Sequence, residues 1–144
     1  MKGEFASLYT GRLWSVLSWD QLSGFWQRID PGAGWYLFAP DVDSAVPAEA
    51  ADAATVTNFI ARIDALLRAE HHESYCGIVY ADDLENPRLI KIYDPSNLGS
   101  SCGSSKNPPL PGWIMSRLPP DELPASRTAA ANRKRWWQGL LGDS

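Results

Sequence analysis

The chain has 144 residues, the usual size of one domain, and a fold of that length buries enough surface to need no disulfide or structural metal. Apolar residues make up 44% and charged residues 21%, which excludes a disordered chain. The net charge of −4 argues against a nucleic-acid binder, which needs a basic surface to displace counterions from phosphate.

Residues 5–17 are apolar without a clear period, and they follow a start that lacks the apolar run of a secretory signal. A helix is expected from Trp19 to Ile29. Ser18 and Gln21 have capping-box spacing, and Leu17 and Leu22 occupy the staple positions around it. Leu22, Phe25, Trp26 and Ile29 repeat at the spacing of one buried helical face, and Asp30-Pro31-Gly32 ends it. Trp35–Ala39 reads as a strand between a glycine and a proline. The most strongly periodic helix runs from Ala53 to Ala69, with Asp52 as N-cap and Val56, Phe59, Ile60, Ile63, Leu66 and Leu67 as a continuous stripe. Tyr75–Ala81 and Arg88–Tyr93 form a hairpin across the polar turn Asp82–Pro87. After a long Ser/Gly/Pro-rich loop, Trp113–Leu118 is a fourth strand, stopped by two prolines. Residues 125–141 have helical composition.

These elements predict an α+β domain: a small mixed four-stranded sheet with two main helices packed on one face, and a C-terminal helical tail. The first strand-helix-strand segment permits a right-handed parallel crossover. Residues 1–124 read as the single domain, and residues 125–144 as a basic, Trp-containing tail. No apolar stretch is long enough to span a bilayer. With two cysteines outside any paired spacing, a reducing cytoplasm is the expected compartment.

The loop around Cys102 is the first candidate for chemistry. Gly99, Gly103 and Ser104 let backbone N–H groups converge on an anion, and Lys106 adds charge. The spacing is not that of a P-loop. Cys102 as a nucleophile needs a base, and His71 and His72 are the histidines available. Both stand at the end of the strong helix, with nothing in the sequence to bring them to the thiol. His71, His72, Glu73, Cys76 and Cys102 lack the paired short spacings of a zinc site, so no metal and no cofactor is expected. Asp41, Asp43, Asp82 and Asp83 sit where turns need carboxylates, and none is given a catalytic role.

Tryptophan is the compositional surplus, with seven in the chain. Most are expected in the core. Trp113 and the tail residues Arg133, Trp136, Trp137 and Leu140 combine indoles, a cation and a leucine in the manner of interface anchors. The leading expectation is therefore a non-enzymatic accessory protein that binds another protein, with weak contact of the tail to a membrane surface left open. The alternative is a small Cys-dependent enzyme, or an anion-binding or ligand-binding domain built on the Cys102 loop.

Overall fold

The computed structural model describes residues 4–40, 42, 46–71, 73–74, 76–95, 111–120, 136–138 and 140. In chain order the elements are α1 (Glu4–Thr10), β1 (Trp14–Val16), α2 (Trp19–Gln27), β2 (Tyr36–Phe38), α3 (Ala53–Glu70), β3 (Val79–Ala81), β4 (Leu89–Ile92) and β5 (Trp113–Ser116). The strands make one five-stranded sheet in the order β1-β3-β4-β5-β2, and every neighbouring pair is antiparallel. The fold is thus α+β, with two corrections. The sheet has five strands rather than four, because Trp14–Val16, inside the stretch that shows no period, pairs with β3 as an edge strand. It is antiparallel throughout rather than mixed. The segment from β2 through α3 to β3 makes no parallel crossover, since β2 lies at the far edge beside β5.

Local chemistry explains the helix boundaries. The Ser18 hydroxyl accepts the Gln21 amide at 2.9 Å, and the Gln21 side chain reaches back to accept the Leu17 amide at 2.8 Å. The Gln21 amide, one of the orphan donors at the start of α2, is thereby satisfied, and the chain entering the helix is held at Leu17. At its other end Asp30 Oδ1 accepts the Gly32 amide, and Gly34 supplies the positive φ of 96° that the chain needs before β2. Asp52 caps α3 by accepting the Thr55 amide at 2.9 Å. The stripe Val56, Phe59, Ile63, Leu66 and Leu67 is buried as its spacing requires, and Ile60 is half-buried at its margin.

Side chains alternate across the strands, so the sheet has two distinct faces. Val16, Leu37, Val79, Ala81, Ile90, Ile92, Trp113 and Met115 join α2 and α3 in the main core. A smaller core on the opposite face holds Phe38, Leu89 and Ile114 with Phe5 of α1, and Leu8 and Tyr9 pack against it. The two expected helices share one face. The short helix α1, in the stretch without a period, covers part of the other.

The two main helices are tied together by one polar network. Asp64 of α3 accepts the Trp26 indole N–H at 3.1 Å and pairs with Arg68 at 2.9 Å. Arg68 also donates to the Trp19 carbonyl and the Ser23 hydroxyl of α2, and lies over the Trp19 ring at 5.2 Å. In the β3–β4 turn, Asp82 Oδ1 accepts the amides of Arg88 and Leu89, and Asp83 Oδ1 accepts those of Glu85 and Asn86. These carboxylates hold the hairpin closed.

Candidate functional site

Several residues singled out in the sequence lie outside the described residues: His72, Gly99, Cys102, Gly103, Ser104, Lys106 and Arg133. His71 is described, and it is buried. Its Nε2 is 2.9 Å from the Cys76 carbonyl oxygen. That oxygen only accepts, so Nε2 carries the proton and donates. The ring meets Trp19 edge to face at 5.9 Å, and the Trp19 indole donates to the Glu73 carbonyl. His71 thus closes the turn after α3. Cys76 is fully buried, and desolvation pushes its thiol pKa up, the opposite of what a nucleophilic cysteine needs. Among the described residues no group of three His, Cys, Asp or Glu side chains comes together as a metal site.

The expected partner anchors are placed against the fold itself. Trp137 is 1% exposed and meets Phe59 of α3 edge to face at 5.9 Å. Leu140 is buried in the same core, and its carbonyl accepts from the Asn58 side chain at 3.5 Å. Trp113 is buried on β5, with half-buried Trp136 packed against it at 5.4 Å. The apolar surface of Trp113, Trp137 and Leu140 is therefore already covered by the domain, and these side chains do not present a face to a partner. The open groove beside α3 is lined mainly by small residues, Ala53, Ala54, Thr57 and Ala61. Asp30 at its rim is committed to the Gly32 amide.

Among the described residues, the large apolar side chains that face solvent are Trp14, 50% exposed, and Leu17, 62% exposed. Both belong to the segment that forms the free edge of the sheet. Sequence reasoning assigned Leu17 to the hydrophobic staple of α2, but the staple does not bury it. Leu22, its expected partner, is instead fully buried in the main core. The backbone beneath Leu17 is held at both polar atoms: its amide donates to Gln21 Oε1, and its carbonyl accepts the Cys76 amide at 2.8 Å. The carbonyl of Val16 accepts the Gly77 amide at 2.9 Å. Arg12 lies over Trp14, with its guanidinium carbon 5.7 Å from the ring centre. The rim thus offers an indole, a guanidinium and a leucine on anchored backbone. In the sequence the one sign of it is the lack of helical or strand period over residues 5–17. Searches against protein-family models, curated proteins and solved structures found no match to this chain.

Proposed function

We propose that the chain is a non-enzymatic accessory protein that binds a partner protein, and that the partner docks on the β1 rim. The observation that carries this reading is the exposure of both Trp14 and Leu17 along an edge of the sheet, with Arg12 over the Trp14 ring. Trp and Arg are the residue types most enriched where interface energy concentrates. Rigid backbone under both side chains lowers the entropy lost on docking. Covering a leucine side chain that now faces water is worth up to about 1.5–3 kcal/mol.

The test replaces Leu17 by a photo-crosslinking amino acid in the native host and identifies what is captured. A specific protein adduct is expected, lost in the Trp14→Ala and Arg12→Glu backgrounds while the circular dichroism spectrum of the folded protein is retained. Capture of the same protein undiminished by those changes would place the interface elsewhere.

A further inference from the structure

On the sheet face that carries α1 lies a polar cluster the partner rim does not use. Tyr80 stands directly opposite Lys91 in the β3–β4 register, and Tyr93 follows Lys91 by two residues, so all three side chains project from the same face. The rings of Tyr80 and Tyr93 meet edge to face at 5.7 Å. Tyr9 comes from α1 and lies over Lys91, whose Nζ is 3.7 Å from the centre of the ring. All four side chains are half-buried.

This cluster is rich in donors. An ammonium offers three N–H groups and no acceptor, and each phenol offers one O–H. Among the described residues, none of the ion pairs includes Lys91, and no hydrogen bond engages its ammonium or the hydroxyls of Tyr9, Tyr80 and Tyr93. Half-exposed, these donors can be reached by an acceptor that enters from solvent. Partial burial also shifts the ionisable groups. It pushes Lys91 down and Tyr93 up, and raises Tyr9 to about 12, with the neighbouring phenols opposing one another's ionisation. Tyr9 and Tyr93 therefore keep their protons at neutral pH and are available to donate.

We propose that Lys91, Tyr9, Tyr80 and Tyr93 form a binding site for a small oxyanion, a carboxylate or a phosphate, which pairs with the ammonium and accepts from the phenols. The face of the Tyr9 ring favours the cation, but it provides no oxygen to take up the donors. An oxyanion does both. The site is separate from the β1 rim, so it stands or falls independently of the partner-binding reading.

The experiment uses the full chain with 13C-labelled lysine and tyrosine. The protein is titrated with sodium phosphate and, separately, with sodium acetate, with ionic strength held constant by sodium chloride. Saturable shifts at Lys91 Cε and at the tyrosine rings are expected, and whichever anion saturates at the lower concentration identifies the preferred class. Lys91→Met should weaken binding roughly tenfold or more, the range of a lost charge-assisted hydrogen bond. Tyr80→Phe and Tyr93→Phe keep both rings and remove only the donors, so they test the site even if the lysine variant folds poorly. Each should weaken binding. The anion should also raise the Lys91 pKa, because it binds the charged form. Non-saturable shifts with both anions, or unaltered affinity in the two phenylalanine variants, would overturn the proposal.

Discussion

Replacing Trp137 by alanine tests whether the C-terminal segment is part of the folded core. Trp137 is buried on Phe59 within the main core, and a side chain of this kind removes about 150–250 Å² from water. At about 25 cal/mol per Å² that corresponds to roughly 4–6 kcal/mol. The denatured chain already hides some of this area, so about 3–5 kcal/mol is the expected loss, in line with buried aromatic truncations. Trp14 provides the internal control. It is the same residue type, half exposed at the sheet edge, and Trp14→Ala should cost no more than about 1–2 kcal/mol, well below the loss at Trp137. Urea unfolding followed by far-UV circular dichroism gives both values without relying on tryptophan emission. Deleting residues 125–144 should cost at least as much as Trp137→Ala. A Trp137→Ala loss below about 1 kcal/mol, or equal losses for the two tryptophans, would show that the segment is not docked on α3.

Phe59→Ala should cost about 3–5 kcal/mol in the same assay, and the Phe59/Trp137 double-mutant cycle should be non-additive because the rings touch. Tyr9 holds its proton to about pH 12 in the fold but loses it near 10 when unfolded, so the folded state binds more protons between those values. Its contribution is therefore full below pH 10 and is lost as pH rises to 12. For this half-buried phenol, screened by solvent, it amounts to about 1 kcal/mol, and Tyr9→Phe should remove it from the alkaline limb of a urea-midpoint profile. Lys91 works against this trend, since its lowered pKa makes its charged form a cost that disappears as pH rises. The capping hydrogen bond to Thr55 holds the Asp52 carboxyl below its ordinary value, so its contribution is present above the carboxylate range and lost as pH falls through the folded pKa. Asp52→Ala should lower the melting temperature at neutral pH, and the gap from the parent protein should close in acid. Cys76 should resist alkylation until the protein unfolds, and rapid labelling of the native protein would contradict its burial.

The elements legible in the sequence are those whose determinants are local. Ser18 and Asp52 announce their helices because a cap bonds to an amide three residues on. The buried stripe of α3 is readable because a helix repeats every 3.6 residues, and its observed end at Glu70 lies one residue beyond the expected one. The β3–β4 hairpin follows from two apolar runs around an acidic turn, although the paired strands are shorter than those runs. Only the tertiary structure decided the rest. β1 is a strand because β3 offers it an edge, and three residues are too few to show alternation. The sequence puts Trp137 among the interface anchors and leaves Trp14 with the core tryptophans, yet Trp137 is covered by Phe59 while Trp14 is half exposed, and that difference is set by contacts between residues far apart in the chain. Tyr9 meets Lys91 for the same reason: α1 lies on the second face of the sheet, and no local rule of spacing or capping specifies which face a short helix covers.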